Sequence, residues 1–392
     1  MEPKIRFKGF EGEWKAPLFS EMVERISASG QAGMLPGVEF EDIASGEGCF
    51  NKNIYQKECH KYGKLFYEGD ILFGKLRPYL KNIILADFNG VAIGDFWVLR
   101  SKGLDEKYLY TLVNSESFLK VANISSGSKM PRADWNLVST TKFVVPSAKD
   151  EQKAIGKYFT SLDSQISAST SRLTSLKQMK AASLQAMFPQ KGETVPKIRF
   201  KGFEGEWKKV KLSEILTERH ENSTITDSLP QLSFTIAEGV IRPEDRKSNK
   251  RDFLIKDIDN KRYLVTKVGD IIYNPANVVY GAIHRNSLMN GVVSPIYKIF
   301  TTMQDSNFIE CAVRRPNFIT KLAMCTEGTV TKLKTLKPEA FLNMELYITS
   351  SLEEQKLIGN YFTSLDRQIS LQSQRLEKLK QIKSACLDKM FV

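Results

Sequence analysis

Apolar side chains recur in alternating steps of four and three along two stretches of the sequence, and this spacing predicts two long helices with a heptad seam. The first stretch contains no Gly or Pro between Lys157 and Phe188, so its helix is expected to be continuous. The two stripes match each other, which favours pairing of the helices as a coiled coil over the alternative that each helix packs only on its own module. The predicted seam consists of Ile155, Phe159, Leu162, Ile166, Leu173, Leu176, Ile358, Phe362, Leu365, Ile369, Leu376 and Leu379.

Polar residues interrupt the predicted seam at two positions, one occupied by Ser169 and Gln372 and the other by Lys180 and Lys383. A polar residue inside such a seam lowers stability but fixes register and orientation. Helices joined through an intervening module can return antiparallel, and the halves of the chain are then related by a pseudo-two-fold axis. Since a helix of about 30 residues spans roughly 45 Å, we expect a rigid spacer with one globular module at each end.

Two segments of the sequence are duplicated. The segment PKIRFKGFEGEWK at residues 3–15 returns unchanged at 196–208, and the segment at 151–167 returns at 354–370 with 14 of 17 positions identical. Repeats separated by this distance are whole modules rather than solenoid units. The chain is therefore predicted to contain a first module at 1–150, a first long helix at 151–190, a second module at 191–350 and a second long helix at 351–392.

Between the duplicated segments, short β-branched and aromatic runs such as DILF and DIIY are cut by Gly, Asn and Pro, which predicts strands. Each module also carries one amphipathic helical pattern, which follows Asp105 in the first module and Asp305 in the second, with each Asp as the N-cap. Pro316 is expected to kink the second of these helices. The predicted fold class is α+β: two tandem globular domains of mixed strands and helices, separated by two long antiparallel coiled-coil helices.

The balance of charges adds a class of partner to this architecture. Lys and Arg outnumber Asp and Glu by 57 to 45, and the net charge of +12 and the pI of about 9.2 favour a polyanionic partner. The chain opens on charged residues and contains no apolar run of about 18 residues, so we expect a cytoplasmic protein with no membrane partner. Its five scattered cysteines form no C-x-x-C pair, which favours reduced thiols over a disulfide framework or a zinc site.

The sequence also carries an ordered set of motifs: the lead-in PKIRFKGFEGEWK, GDILFGKLRPYLKN and GSKMPR in the first module, GDIIYNP and GVVSPIY in the second, and EQ at the start of each long helix. In this ordered set, over its whole length, the chain resembles the specificity subunit of type I restriction-modification systems. The resemblance implies two target-recognition domains, each of which reads one half of a bipartite sequence in double-stranded DNA. The different polar residues of the two modules predict that this target is asymmetric. The resemblance also implies that the paired helices hold these domains apart.

The same resemblance implies that this chain is not an enzyme. It would dock two methyltransferase (modification) subunits and, where they exist, restriction subunits. S-adenosylmethionine is then expected in the methyltransferase subunits, and no cofactor or metal is expected in this chain. The alternative is a stand-alone two-headed DNA-binding regulator or anti-restriction protein.

The motifs of catalysis are missing or incomplete in the sequence. The tetrad NPAN at Asn274 lacks the second Pro and the aromatic residue with which an adenine methyltransferase holds a flipped base. No G-x-x-x-x-G-K-[ST] loop is present to bind nucleotide phosphates. The three histidines are scattered without the spacing of metal ligands. These observations favour a non-catalytic protein.

Candidate DNA contacts fall in loop segments of both modules. GKLRPYLK follows a strand in the first module and can present cations to phosphates or one Arg to guanine, while YNPANVVYGAIHR in the second offers asparagines suited to adenine. A solvated basic edge is the alternative for the cations, and a turn before Pro275 is the alternative for Asn274. The candidates are Lys75, Arg77, Tyr79, Lys81, Lys129, Arg132, Arg246, Lys250, Asn274, Asn277, Tyr280, Arg285, Thr329, Lys332 and Lys334.

Aromatic residues of the two lead-in segments allow two interpretations. Phe10, Trp14, Phe203 and Trp207 either anchor a partner, as aromatic residues at interface centres do, or pack each lead-in against its own module. The sequence alone leaves both interpretations open.

Overall fold

The computed structural model describes residues 3–33, 35–124, 130–246, 262–326 and 335–391. The chain divides into two compact units, the first formed by Met1–Leu173 with Gln372–Val392 and the second by Thr174–Leu371. Each unit combines one globular module with parts of both long helices. The domain boundaries predicted at residues 150, 190 and 350 stay predictions.

The module of the first unit is a set of short strands covered by short helices. Its strands are β1 Val23–Ile26, β2 Ser29–Gln31, β3 Gly37–Val38, β4 Ile43–Ala44, β5 Cys49–Phe50, β6 Tyr62–Phe66, β7 Ile71–Gly74, β8 Ile83–Leu85, β9 Gly90–Ala92 and β10 Phe96–Ser101. Its helices are α1 Phe19–Met22, α2 Glu106–Val113, α3 Glu116–Ala122 and α4 Trp135–Thr140, after which the long helix α5 runs over Lys149–Ala186.

The module of the second unit repeats this plan. Its strands are β11 Lys208–Lys211, β12 Leu216–Glu218, β13 Asn222–Ser223, β14 Ser233–Thr235, β15 Gly239–Ile241, β16 Tyr263–Thr266, β17 Ile271–Tyr273, β18 Ile283–Arg285, β19 Gly291–Val293, β20 Lys298–Thr302 and β21 Glu345–Ile348. Its helices are α6 Ser306–Val313, α7 Pro316–Met324 and α8 Pro338–Leu342, and the second long helix α9 covers Leu352–Met390.

Corresponding sheets in the two units have the same strand order. An antiparallel sheet of order β1-β10-β7-β8 in the first unit matches one of order β12-β20-β17-β18 in the second. The register is also equivalent, since Ile71 pairs with Leu85 and Ile271 pairs with Arg285. Smaller sheets of orders β2-β6-β9-β3 and β13-β16-β19 lie beside them. The predicted α+β class is confirmed, and both modules use one scaffold.

The amphipathic helical pattern in each module forms two helices rather than one. In the first module Asp105 caps α2 by accepting a hydrogen bond from the Tyr108 N–H at 3.0 Å, and Ser115 caps α3 by accepting from the Phe118 N–H. In the second module Pro316 is the first residue of α7, where the N–H that proline lacks has no helical partner in any case. The expectation of one helix kinked at Pro316 is therefore wrong.

The first turns of each long helix complete the core of the module that precedes them. Ile155, Phe159 and Leu162 of α5 are buried among the aromatic residues of the first unit, and Phe159 is only 1% exposed. Leu379 and Ile382 of α9 pack on the same cluster. Because each buried side chain of this size contributes about 1.5–3 kcal/mol, these contacts fix the helix firmly to its module. The second unit buries Ile358, Phe362 and Leu365 of α9 in the same way.

Within the first unit, α5 and α9 run antiparallel. The Lys383 ammonium pairs with the Asp163 carboxylate, and the Gln372 side-chain amide donates to the Ser169 carbonyl at 3.2 Å. Residue numbers on α9 thus fall as those on α5 rise. The polar seam residues supply both contacts, which is the register-fixing role predicted for them.

Within the second unit, the remaining parts of the two helices also run antiparallel. Lys180 pairs with Asp366, and the Ser183 and Tyr361 hydroxyls lie 2.9 Å apart. The ion pair is the duplicated counterpart of the one between Lys383 and Asp163. The predicted antiparallel pairing is therefore present in each unit.

Seam residues are buried or half-buried along both helices. The buried ones are Ile155, Phe159, Leu162, Leu176, Ile358, Phe362 and Leu365, and the half-buried ones are Ile166, Leu173, Ile369, Leu376 and Leu379. Both interpretations of the stripe hold in part, because the first turns of each helix pack on a module and the polar contacts further along join the two helices.

Candidate nucleic-acid interface

The duplicated lead-in segment is tied to the first turn of a long helix. In the first unit the Arg6 guanidinium donates to both carboxylate oxygens of Glu151 at 2.7 and 2.9 Å, and the Trp14 indole N–H donates to the same carboxylate at 3.3 Å. Glu151 is 1% exposed, so this bidentate pair is almost dry. In the second unit Arg199 makes the same bidentate pair with Glu354.

The glutamine that follows each of these glutamates ties the long helix to its module. The Gln152 side chain donates to the Pro146 carbonyl at 2.8 Å and accepts from the Asp105 N–H at 2.9 Å. Gln355 makes the equivalent bonds to the Thr349 carbonyl and the Asp305 N–H. The repeated EQ motif therefore fixes the direction in which each helix leaves its module.

The lead-in tryptophans pack within their own units. Trp14 is 5% exposed and Trp207 is 2% exposed, each inside the core cluster of its unit. Phe10 and Phe203 are half-buried. For the tryptophans, the structure thus supports packing against the module rather than exposure to a partner.

In the first module the structure brings two of the predicted DNA-binding segments together. The Arg77 N–H donates to the Pro131 carbonyl at 2.8 Å, and the Ala133 N–H donates to the Lys75 carbonyl at 2.8 Å. The GKLRPYLK loop and the segment around Arg132 therefore form one strip beyond the end of β7. Its cations and its tyrosine are the candidate interface of this module.

Two of the cations in this strip share one carboxylate. The Lys75 ammonium lies 3.3 Å from Asp95, and the Arg132 guanidinium lies 3.1 Å from the same side chain. Asp95 follows β9 and was not predicted as part of the site. Its negative charge offsets one of the two positive charges, so Lys75 and Arg132 together keep about one net charge to attract a phosphate.

The other cations of the strip have weaker partners. Arg77 is exposed, and its side chain has no hydrogen-bond or ion-pair partner among the residues that the structure describes. The Lys81 ammonium lies 3.8 Å from the half-exposed Glu116, a distance at which a surface pair contributes little. Tyr79 between them is 55% exposed. Arg77 and Lys81 are thus the cations with most charge left to offer to an external anion.

The corresponding loop of the second module presents a different set of side chains. The Asn274 side-chain oxygen accepts from the Ala276 N–H at 3.0 Å, so this residue shapes the turn before the helix-like segment that follows. Asn277 is half-buried directly before the short 3-10 helix Val278–Tyr280, and Tyr280 at the end of that helix is 66% exposed. The Leu336 N–H donates to the Pro275 carbonyl at 3.0 Å, which repeats the contact between Ala133 and Lys75.

Arg285 lies against an internal acidic residue. Its side chain is 14% exposed, and its Nε lies 3.7 Å from a Glu310 carboxylate oxygen. His284 approaches the same carboxylate at 3.4 Å and contacts the Ile236 carbonyl through its other ring nitrogen at 2.8 Å. Burial raises the pKa of the Glu310 carboxyl, but the hydrogen bond from His284 and the charge of Arg314 outweigh burial and lower that pKa. Arg285 therefore has a structural partner, and its role in DNA binding stays a prediction.

Several predicted contacts lie where the structure gives no description. Arg246 is half-buried at the end of a described segment. Lys129, Lys250, Thr329, Lys332 and Lys334 lie outside the described residues. All six stay predictions from the sequence.

Neither a metal centre nor a membrane helix is found in the described ranges. No group of three or more His, Cys, Asp or Glu side chains is placed there to bind a metal ion. No helix there combines the length and apolar character needed to cross a bilayer.

Part of the sequence and the fold of the chain are similar to those of known proteins. A family model described as the type I restriction modification DNA specificity domain matches residues 204–381. Residues 204–381 therefore match the type I restriction-modification specificity family. The match starts in the second lead-in and ends within α9, so this specificity domain comprises the second module together with most of the helix that follows it.

Curated relatives and a solved structure agree with this family. The type I restriction enzyme EcoDI specificity subunit of Escherichia coli is 24% identical over 120 residues, which cover 29% of this chain and 27% of that subunit. The MjaVIII specificity subunit of Methanocaldococcus jannaschii is 23% identical over 311 residues, or 74% of this chain and 70% of that subunit. The S subunit from M. genitalium has the same fold, with a TM-score of 0.66 at 13% identity over 100% of this chain and 99% of that chain.

Proposed function

We propose that this chain is the DNA-recognition subunit of a type I restriction-modification complex and reads a bipartite, asymmetric target, with one module for each half. The main support is the contrast between corresponding loops on one shared scaffold. The loop of the first module presents Arg77, Tyr79 and Lys81, whereas the loop of the second presents Asn277 and Tyr280. Modules with one backbone plan and different polar side chains suit two different half-sites.

The base preferences of the two loops are expected to differ for a chemical reason. Arginine pairs with guanine through two hydrogen bonds, whereas asparagine pairs with adenine. Exposed cations also bind phosphates and set the salt dependence of affinity. The first module thus offers mostly cationic contacts, and the second offers amide contacts, which favours a target that is not a palindrome.

We further propose that the length of α5 and α9 sets the gap between the half-sites. The bidentate pairs at Glu151 and Glu354 and the antiparallel ion pairs at Asp163 and Asp366 make each helix a stiff extension of its module. A stiff connection transmits a change in helix length to the spacing of the bases that are read. A flexible linker would instead tolerate many gaps.

The chain is proposed to act without catalytic chemistry of its own. Each repeat would offer one docking surface to a methyltransferase subunit, so two such subunits are expected, and S-adenosylmethionine would be bound by them. Restriction subunits would join this complex where they exist. The expected location is the cytoplasm.

Mapping of methylated adenines tests this proposal. Genomic DNA from the host should show one bipartite motif of two unlike halves that is methylated only when this gene is present. Deletion of the gene should remove methylation at that motif alone. A genome whose methylation is unchanged by the deletion would contradict the proposal.

Co-purification separates the proposal from a stand-alone regulator. A specificity subunit should bring methyltransferase subunits with it in a ratio of about two to one, which is expected from the duplicated repeat. A chain that purifies alone and binds its site tightly without partners would support the regulator instead.

A further inference from the structure

The turn after β7 holds its two cations in an unusual backbone conformation. Arg77 has a φ of 52° and Lys81 a φ of 53°, and they are the only residues other than glycine with positive φ among those that the structure describes. They flank the single 3-10 turn Pro78–Leu80, one at each end. A side chain in the left-handed region crowds the backbone, so each position is strained.

The second module contains the corresponding turn, Val278–Tyr280, which is left-handed only at its end: Asn277, the counterpart of Arg77, has a φ of -121°. The Lys81 N–H donates to the Pro78 carbonyl, and its own carbonyl accepts from Ile83; Gly281 makes the equivalent bonds to Val278 and Ile283. Gly281 has a φ of 86°. The turn therefore requires a left-handed residue at this position, and glycine satisfies that requirement without strain. Space does not restrict the choice, because a Cβ added at Gly281 would meet no atom within 4 Å.

The left-handed conformation in the first module is held from outside the turn. The Arg77 N–H donates to the Pro131 carbonyl at 2.8 Å, and the Lys81 carbonyl accepts from the Gly46 N–H at 3.2 Å. Strained residues persist where surrounding contacts determine their conformation, and they concentrate at functional sites. Both strained residues carry a positive charge that is only weakly paired within the module. The Lys81 ammonium has a 3.8 Å pair with Glu116, and the Arg77 side chain has no partner among the described residues.

We propose that Arg77 and Lys81 both contact DNA phosphates, and that the first module has a lysine where the second has Gly281 because of this contact. The inference rests on the proposed DNA-recognition function. A strained but firmly held backbone presents each cation from a fixed point, which lowers the entropy lost on binding. Phosphate contacts fix the register of a protein on the duplex and leave base choice to other side chains.

The test compares two replacements of Lys81. Lys81→Gln removes the charge and keeps the strain, whereas Lys81→Gly removes both. Fluorescence anisotropy measures the DNA affinity of the chain together with the subunits that co-purify with it. The titrations cover about 50 to 300 mM salt and use the methylated motif and unrelated DNA as probes. Both variants should lose about three- to tenfold in affinity on both DNAs, and the slope of log K against log salt should fall by about 0.9.

Melting temperature provides the second readout. Lys81→Gly should melt at or above the wild-type temperature because the strain is gone, while Lys81→Gln should melt as the wild type does. Gly281→Lys should melt lower, because it introduces the strain in the second module. Arg77→Gln should lose affinity and slope as Lys81→Gln does, whereas Lys61→Gln, which removes a charge that pairs with Glu39 elsewhere in the module, should change neither.

The possible results separate the inference from the proposed function. Unchanged affinity and slope in the Lys81 and Arg77 variants, with wild-type recognition of the motif intact, would overturn the inference alone. A loss on the motif without a loss on unrelated DNA would overturn the phosphate assignment. A loss in Lys81→Gly without a loss in Lys81→Gln would assign the effect to the backbone rather than to the charge. A wild-type complex that fails to distinguish the motif from unrelated DNA would refute the proposed function itself.

Discussion

Replacement of Arg6 by methionine tests whether the lead-in truly fastens the long helix to its module. The substitution leaves Glu151 at 1% exposure, without the guanidinium that donates to both its oxygens at 2.7 and 2.9 Å. The loss of one partner from a buried ion pair destabilises a protein by about 3–5 kcal/mol, because the other charge is left uncompensated. Arg6→Met should therefore lower the urea concentration at which the first unit of the full chain is half unfolded.

Two further variants show whether that loss comes from the buried charge. Glu151→Gln combined with Arg6→Met removes the uncompensated charge and keeps an oxygen for the Trp14 N–H, so the double variant should recover part of the stability. Lys153→Met is the matched control on the same turn of α5. Its pair with Asp150 spans 3.7 Å between side chains that are 65% and 87% exposed, and such a pair contributes about 0–1 kcal/mol.

Amide hydrogen exchange locates the effect. Arg6→Met should speed exchange in the first turns of α5, where the helix meets the lead-in, more than in the strands of the module. A loss below about 1 kcal/mol, equal to that of the Lys153 control, would refute the reasoning that this pair fastens the helix.

Two other predictions follow from charges inside the units. Because the folded-state pKa of Glu310 lies below its ordinary value, its interactions add stability above the ordinary glutamate pKa, and this stability is lost as the pH falls through the folded-state pKa. Thermal unfolding of Glu310→Gln should therefore lose less stability between neutral and acid pH than that of the wild type, and an equal loss would contradict this. In the coiled coil, Lys383→Asp should destabilise the first unit by placing two carboxylates together, and the added change Asp163→Lys should restore most of the loss. Urea unfolding measures the stability of the single and the double variant, and a double variant as unstable as Lys383→Asp alone would count against this ion pair.

The long helices were predictable because their determinants are local and periodic. The steps of four and three through Leu176 and Leu379 specify a seam, and the lysines at 180 and 383 occupy its next position in both copies. The duplicated lead-in also contained a usable signal, since Arg6 and Glu151 both recur at the same places in the second copy as Arg199 and Glu354. Their pairing was still missed, because nothing in a sequence states which of two distant repeated charges meet.

Each amphipathic helical pattern divides into two helices at a local signal that was interpreted wrongly from the sequence. Ser115 is a good N-cap, and Pro316 is suited to a first helical position, so each marks a new start rather than a kink. Strand order and register were not predicted, because they depend on which of many similar short runs pair across the chain.

The candidate interface was predicted as segments but not as a charge distribution. Asp95 offsets part of the charge of Lys75 and Arg132 from a loop some 20 residues or more away, and its role depends on tertiary packing alone. The left-handed backbone at Lys81 likewise cannot be predicted from the sequence of the first module alone. Comparison with Gly281 in the other copy would have indicated it, because a glycine there signals a position that needs positive φ.

The most direct test of the account is a change in helix length. Four residues inserted after Ser169 in α5, and four more after Leu371 in α9 to keep the antiparallel contacts, lengthen both helices by about 6 Å. At about 3.4 Å per base pair, the gap in the methylated motif should grow by about one or two base pairs while both halves keep their sequences. The same insertion at the exposed Gly103 should leave the gap as it was. Adenine methylation mapped by sequencing decides the matter: a wider gap between unchanged halves is the predicted result, and an unchanged gap or altered halves would contradict the proposal that helix length sets the spacing.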